Sequence, residues 1–397
     1  MNIRLSKKED MESIRSIWEY CFDDTAEYVN YYFRYKFKPE NTVILEDKRE
    51  LIASIQLNQH KIVVNNKEFE TSYFVGVSTM PQARGKGIMR DLMKESLYEV
   101  KKRKQSVAIL MPIDFRLYTK YGFENCYDIL VQKMDIFSLG KYRVKGEFLR
   151  ADLDNISDLV DIYAECMKRY NGYAKRNKKY FEELLIEISE EGGYIFINYE
   201  DNIPQGYLVY SIESGKMVVR EIYYKNTISY NSMLKFIYNH NTQCSEVELN
   251  SSIDDMLKLR MDNPKDAKFE IRPFMMARII DFEKFIEEMS ISVHKDYENK
   301  DDLLIEIEDD YIEENKGIFR ATSKEGKLIV RKIEEINSSK ELNADFKFNV
   351  NEMVAILLSY YSIDDLMFLK SEENLKVASF KKLFNISKKV NHINEYV

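Results

Sequence analysis

The chain has 397 residues, of which 45% are apolar, and its 59 lysines and arginines against 67 aspartates and glutamates give a formal net charge of −8. This length predicts two or three domains, and the apolar content is enough to build packed cores, which excludes a wholly disordered chain. The acidic balance argues against a nucleic-acid-binding protein.

Membrane, secretory and metal-binding patterns are missing from the sequence. No apolar run approaches the roughly 20 residues of a membrane-spanning helix, and the first ten residues contain no apolar signal segment. The 4 cysteines and 4 histidines are dispersed, without CxxC or metal-ligand spacing. We therefore expect a cytoplasmic protein with reduced thiols, no membrane span and no metal.

Strands and amphipathic helices are predicted in the same order in two parts of the chain, at an offset of about 145 residues. The corresponding pairs are a strand at 3–5 with one at 148–150, a helix at 10–22 with one at 155–167, and strands at 42–45 and 51–57 with strands at 194–197 and 206–211. The alternation of apolar and polar residues fits strands covered by helices. The pattern predicts two related domains.

The run from Gln82 to Ile88 is the strongest functional signal. It follows an apolar segment, 74–77, and leads into an amphipathic stretch, 89–102. In a strand, glycine turn and helix, unpaired N–H groups at the helix N-terminus face an anion, and glycines let the backbone approach it closely. The predicted diphosphate-contacting residues are Ala83, Arg84, Gly85, Lys86, Gly87 and Ile88, with the two basic side chains adding positive charge.

Other meanings of this run are weighed by its spacing. A P-loop needs Ser or Thr after its Gly-Lys pair, and the chain has Gly87 and Ile88 after Lys86. A dinucleotide fingerprint needs a third glycine where Arg90 stands. An ordinary turn with solvated basic residues stays open, although Gly76 inside the preceding strand favours a bulge or a close ligand approach.

Two motifs together resemble the GNAT superfamily of N-acetyltransferases. Gln-x-x-Gly-x-Gly after Val-Gly-Val is similar to its acetyl-CoA-binding motif, and 117–124 (LYTKYGFE) is similar to the Phe-Tyr-x-Lys-x-Gly-Phe segment that follows the next strand. The resemblance implies that pantetheine binds along an open strand edge at Val75, Gly76 and Val77. It also places Ile113 and Asp114 at the cofactor.

Tyr118, within the second motif, is the candidate general acid for the departing thiolate. A tyrosine has an ordinary pKa of about 10 against about 8.5 for a thiol, so it stays protonated near neutrality. The competing interpretation is a packed core aromatic, in a chain with 28 tyrosines. The position of Tyr118 in the motif favours the catalytic role.

The second and third parts of the chain lack a diphosphate cradle. After the predicted strand 218–224, residues 225–233 contain no glycine and no basic pair, so the second domain is expected to be structural. From 275 onwards the pattern predicts a helix at 282–289, strands at 303–307, 316–322 and 327–332, and helices at 350–361 and 375–383.

This three-part layout resembles the Eis (enhanced intracellular survival) family. The matching features are 276–281 (MARIID), 310–317 and the overall length. The resemblance implies a mixed α/β (α+β) fold: a catalytic GNAT domain at 1–140, a degenerate GNAT domain at 141–285 and a sterol-carrier-protein-like domain at 286–397. It further implies a homo-oligomer, a hexamer in this family, and a general base formed by the terminal carboxylate, here on Val397.

The sequence gives less information about the acceptor substrate than about the cofactor. The segment Tyr28–Phe37 is rich in tyrosine; such a stripe is more often core than pocket, although the GNAT resemblance implies that it roofs the acceptor site. The acidic charge favours a small-molecule amine: an aminoglycoside, a polyamine or a lysine side chain. Two alternatives stay open, a tandem-GNAT aminoacyl or peptidyl transferase and a non-enzymatic CoA- or lipid-binding protein.

Overall fold

A computed structural model describes residues 1–297, 302–333 and 343–396. Its strands are β1 (Asn2–Leu5), β2 (Thr42–Asp47), β3 (Glu50–Val64), β4 (Lys67–Thr79), β5 (Val107–Leu110), β6 (Glu124–Asp135), β7 (Glu147–Arg150), β8 (Tyr173–Ala174), β9 (Tyr194–Glu200), β10 (Ile203–Glu213), β11 (Lys216–Tyr224), β12 (Glu246–Ser251), β13 (Ala267–Ile279), β14 (Leu303–Glu308), β15 (Gly317–Lys324), β16 (Lys327–Lys332) and β17 (Phe346–Asn349).

The α-helices follow the apolar spacings read from the sequence. For example, the first one buries Ile14, Ile17 and Trp18, which lie on one face at helical spacing. The helices are α1 (Met11–Cys21), α2 (Ala26–Tyr31), α3 (Ile88–Lys102), α4 (Arg116–Thr119), α5 (Ile156–Met167), α6 (Lys178–Glu190), α7 (Thr227–Tyr238), α8 (Leu257–Arg260), α9 (Phe282–Met289), α10 (Val350–Leu357), α11 (Ile363–Lys370) and α12 (Val377–Leu383).

One thirteen-stranded sheet runs through the first two parts of the chain, in the order β1-β2-β3-β4-β5-β13-β6-β12-β11-β10-β9-β7, with β8 pairing β3. β13, from the end of the second part, lies between β5 and β6 of the first, and β6 in turn pairs β12. The two parts therefore form one sheet, in which β13 of the second part pairs with β5 and β6 of the first.

Each of the two parts contains a parallel strand pair that separates. Four residues of β4, Thr71–Phe74, pair with Val107–Leu110 of β5, and β4 then continues to Thr79. In the same way, β11 pairs β12 only from Lys216 to Val219 and then continues to Tyr224. In both, a bulge falls near the end of the pairing. The predicted repeat is thus visible as two similar clefts.

The last part has a four-stranded sheet in the order β16-β15-β14-β17, packed with helices. The helix predicted at 350–361 is shorter, because α10 ends at Leu357 and Ser359 takes a left-handed conformation (φ 61°). A separate helix, α11, begins after Ser362, which forms a capping box with Asp365. Among the described residues, no helix combines the length and the apolarity needed to cross a bilayer.

Candidate active site

The loop between β4 and α3 keeps its glycines on the surface. Gly85 and Gly87 are exposed and have φ of 76° and 77°, a left-handed conformation that other residues adopt at a cost. The side chain of Arg84 fastens the loop to the end of β4, since its Nε donates to the Thr79 carbonyl at 3.0 Å. The backbone of the loop is therefore held and open to solvent.

Five successive N–H groups, Gly85–Met89, donate no hydrogen bond to another described residue. Gly87 is the N-cap of α3 and has no side chain to occupy these donors. The partial positive charge at the N-terminus of a 15-residue helix adds to that of Arg84 and Lys86. Unpaired donors, helix dipole and basic side chains together fit a diphosphate.

The edge of β4 beside this loop is free to pair with a ligand. Beyond Phe74, the segment Val75–Thr79 has no partner on β5. Gly76 forms the bulge with φ 55°, and a Cβ there would lie 2.3 Å from Trp18 Cζ3 and 2.4 Å from the terminal amide of Gln56. With its amide nitrogen facing the strand, Gln56 donates to the carbonyls of Val75 (2.7 Å) and Gly76 (3.1 Å). Only glycine fits this bulge.

Tyr118 lies on α4, directly after the loop that follows β5. It is 5% exposed and packs in the same buried cluster as Ala83, Ile88 and Leu92, which anchor the glycine loop and α3. Its hydroxyl makes no hydrogen bond to another described residue. The oxygen is also not one of the fully buried polar atoms without a partner, so it keeps some accessible surface. Burial, with a smaller contribution from Tyr121, raises the pKa of Tyr118 to about 12.

Ile113 and Asp114 lie on the loop between β5 and α4. Ile113 is 74% exposed and packs in none of the buried clusters. Asp114 is paired with Arg116, whose side-chain hydrogen bond lowers the pKa of that carboxyl. Ile113 is therefore exposed to solvent, and Asp114 is partly exposed.

The corresponding turn of the second part is closed. Asn226 caps α7, and its Oδ1 accepts a hydrogen bond from the Ser229 N–H at 2.8 Å. Unlike the turn at Gly85–Met89, this turn thus has a side-chain acceptor for one N–H of the helix N-terminus.

The carboxyl-terminal segment 391–396 is buried between the first two parts of the chain. Tyr73 of β4 donates from its hydroxyl to the Glu395 carbonyl at 3.0 Å. On the other side, Arg176 donates to the Glu395 carboxylate at 3.0 Å, and both side chains are fully or almost fully buried. The proposed base, Val397, lies outside the described residues. The residues that precede it reach the first domain.

An aromatic cavity of about 30 Å³ lies next to this segment. It is lined by the aromatic segment predicted to be core or roof, by β3 and β4, by α6 and by the tail. The lining residues include Tyr28, Tyr32, His60, Tyr73, Tyr180 and Glu395. Phe33 and Phe37 of the same segment pack in a buried core cluster that also includes Tyr32. The stripe therefore contributes both to the core and to the cavity wall, and its role as a roof over an acceptor stays a prediction.

His60 has no role in the sequence analysis, where it is one of 4 dispersed histidines. It lies on β3 opposite Thr71 of β4, and its ring meets the Tyr73 ring edge-on at 5.5 Å. Burial lowers the pKa of His60, so the imidazole is neutral near pH 7. The apolar residues on both sides of the Asn65-Asn66 turn would have given the hairpin register that places His60 here.

Family models match all three parts of the chain. Residues 2–126 and 172–279 each match an acetyltransferase (GNAT) domain, and residues 282–388 match a sterol carrier protein domain. These matches confirm the predicted three-part organisation and fold class. No curated relative matches the sequence significantly.

Solved structures share the fold over the whole chain. A probable N-acyltransferase of Enterococcus faecalis has a TM-score of 0.86 at 21% identity, with 100% of this chain and 99% of that chain covered. A GCN5-related N-acetyltransferase of Anabaena variabilis has 0.82 at 18% identity, and Eis1 of Mycobacterium abscessus 0.75 at 15%, with 100% of both chains covered in each comparison. At these identities the likeness is one of fold.

Proposed function

Because the chain consists of two GNAT domains followed by a sterol carrier protein domain, an arrangement whose fold it shares with Eis1, we propose that it is an acetyl-CoA-dependent N-acetyltransferase. The observation that carries the proposal is the open row of N–H donors at Gly85–Met89 beside the free edge of β4. Its position at a helix N-terminus suits the diphosphate of coenzyme A.

The residues of the first domain would divide the cofactor between them. Ala83 to Ile88 would hold the diphosphate, Val75, Gly76 and Val77 the pantetheine, and Ile113 and Asp114 would border it from the loop after β5. When bound, acetyl-CoA supplies a thioester carbonyl that an amine can attack directly.

A small-molecule amine is the proposed acceptor. Tyrosine faces around the cavity suit a cationic nitrogen. The three acceptor classes, an aminoglycoside, a polyamine and a lysine side chain, all carry such a nitrogen.

Two groups are proposed to handle protons, one at the leaving thiolate and one at the acceptor ammonium. With a pKa of about 12, Tyr118 stays protonated and can donate a hydrogen bond to the developing negative charge on the leaving sulfur. The Val397 carboxylate is proposed to take the proton of the acceptor ammonium.

The alternatives are weaker on specific grounds. A transferase that uses charged tRNA would be expected to present a basic face, whereas the chain carries a net charge of −8. A non-enzymatic CoA- or lipid-binding protein would not need an acid such as Tyr118 beside the glycine loop.

Acetyl-CoA binding tests the cofactor site. We expect Arg84→Ala to weaken binding in calorimetry by about tenfold, because it removes a cation at the diphosphate and the bond that fastens the loop to Thr79. Arg331→Ala, which removes an exposed arginine of the third domain, is the matched control and should bind normally.

Wild-type protein should also release free thiol from acetyl-CoA when a polyamine, a lysine peptide or an aminoglycoside is added. No binding, or no thiol with any amine, would contradict the proposal.

Tyr118→Phe tests the acid. The variant keeps the buried ring and loses only the hydroxyl, so we expect kcat to fall about 100-fold, with unchanged acetyl-CoA affinity and thermal stability. Tyr121→Phe, which removes a hydroxyl from another tyrosine of the same buried cluster, is the control. If the two variants are equally active, Tyr118 is a packing residue.

A further inference from the structure

The second domain keeps the cleft of a GNAT fold although its glycine cradle is missing. β11 and β12 separate after Val219, as β4 and β5 do after Phe74. A cavity at this separation is lined by the ends of both strands and also by two residues of the carboxyl-terminal segment, His392 and Asn394. The tail thus lies where the first domain would hold its cofactor.

The tail is bound to the free part of β11. Asn394 Nδ2 donates to the carbonyl of Arg220, the bulged residue of that strand, at 2.9 Å. The Arg220 guanidinium in turn lies 4.8 Å from the centre of the Tyr396 ring. Nearby, the His392 ring nitrogen Nε2 and the Tyr223 hydroxyl are 3.0 Å apart. Alternate residues of the tail therefore contact the strand.

Arg176 forms hydrogen bonds both to strands of the second domain and to the tail. Two of its N–H groups donate to the Glu221 carboxylate of β11, at 2.7 and 2.8 Å, and one donates to the Tyr207 hydroxyl. The remaining two donate to the tail: Nε to Glu395 Oε1 at 3.0 Å and Nη2 to the Asn394 carbonyl at 2.7 Å. A guanidinium has five such donors, and all five have acceptors.

The charges at this point leave little freedom. The side chains of Arg176 and Glu221 are fully buried, and that of Glu395 nearly so. A buried cation with two carboxylates holds both in one geometry, because removing either contact would leave a charge without a partner. Arg176 therefore links a strand of the second domain to the end of the chain.

We propose that the second GNAT domain has exchanged its acyl-CoA for the protein's own carboxyl-terminal segment, and that Arg176 and Glu395 are positioning residues that fix the chain end against the first domain. The catalytic consequence rests on the function proposed above. The binding of the tail in the second cleft does not.

The test uses Glu395→Gln in the full-length protein. This change removes one charge and leaves Arg176 paired with Glu221, so the variant should fold, as thermal unfolding will show. Digestion with a carboxypeptidase, followed by mass spectrometry, should stop before Glu395 in the wild type and proceed past residue 391 in the variant. Glu70→Gln, which breaks the half-exposed ion pair with Lys61, is the matched control and should resist like the wild type.

Kinetics supply the readout that a merely structural role would not move. We expect kcat of Glu395→Gln to fall about tenfold or more, with unchanged KM for acetyl-CoA, because a misplaced group slows the chemical step rather than binding. Tyr73→Phe, which removes the bond to the Glu395 carbonyl from the opposite side, should show a smaller change of the same kind. Equal resistance of Glu395→Gln and the wild type to digestion would overturn the inference. Increased digestion with unchanged kcat would overturn the positioning role.

A chain that ends at Tyr396 separates this inference from the proposed base. It keeps the Arg176 contacts and should resist digestion, yet it should turn over slowly if the Val397 carboxylate is the base. Unchanged turnover would move that role to another group, with His60 the candidate in the cavity. If the wild type resists digestion but transfers no acetyl group to any amine, the proposed function fails and the tail-binding cleft stands.

Discussion

Gly76→Ala is expected to destabilise the protein by about 4 kcal/mol. The new methyl group would lie 2.3 Å from Trp18 Cζ3 and 2.4 Å from the terminal amide of Gln56, and overpacking of this kind costs about 1–3 kcal/mol. The left-handed backbone (φ 55°) adds about 1–2 kcal/mol for a residue with a Cβ. Urea unfolding would measure the loss.

The chain offers both a control and a reporter for this prediction. Gly85→Ala shares the positive φ (76°), but nothing lies within 4 Å of its Cβ, so it should cost only the backbone contribution of about 1 kcal/mol. Trp18 is the single tryptophan and contacts Gly76, so its fluorescence emission should shift to longer wavelength in Gly76→Ala alone. Equal unfolding midpoints for the two variants would contradict the account of the bulge.

Local signals in the sequence predicted the cofactor side of the site. The glycine loop, the strand glycine and the tyrosine of the second motif each depend on neighbouring residues, so a short pattern carries the information. The same is true of α9, which spans the predicted 282–289. In the third part, Ser362 and Asp365 have the spacing of a capping box, which is a local signal for the start of α11.

Long-range pairing was beyond that reasoning. Nothing near β13 indicates that it lies between β5 and β6, because strand exchange depends on which partner sheet lacks a strand. Arg176 and Glu395 are 219 residues apart, and each is unremarkable in its own segment. The domain bounds, the oligomeric state and the cytoplasmic location stay predictions.

Acid should loosen the tail through His392, and the effect should reach about 3 kcal/mol between pH 7 and pH 4. Burial is the main reason that the pKa of His392 is lowered, to about 3; Arg169 and Arg176 lower it further, whereas Asp254 opposes the shift. An unfolded histidine has a pKa of about 6.5, so below that pH the unfolded chain takes up a proton that the folded chain does not. Stability therefore falls with pH from 6.5 down to about 3, by at most about 1.4 kcal/mol per pH unit.

Two other buried groups limit the range in which His392 can be read alone. Burial acts to raise the pKa of Glu395, but the attraction of Arg176 and the hydrogen bonds of the carboxylate outweigh it and lower this pKa in the folded state. The stabilisation from Glu395 is therefore present above its unfolded pKa and is lost only at lower pH. The lowered pKa of His60 acts in the same pH range as that of His392.

The measurement is therefore a difference between two proteins. From pH 7 to pH 5, the free energy of unfolding of the wild type should fall by about 2 kcal/mol more than that of His392→Gln. His294→Gln, which changes an exposed histidine, should behave like the wild type. Equal pH dependence in wild type and His392→Gln would mean that the tail is already loose at neutral pH, and with it the end of the chain that the second domain is proposed to hold.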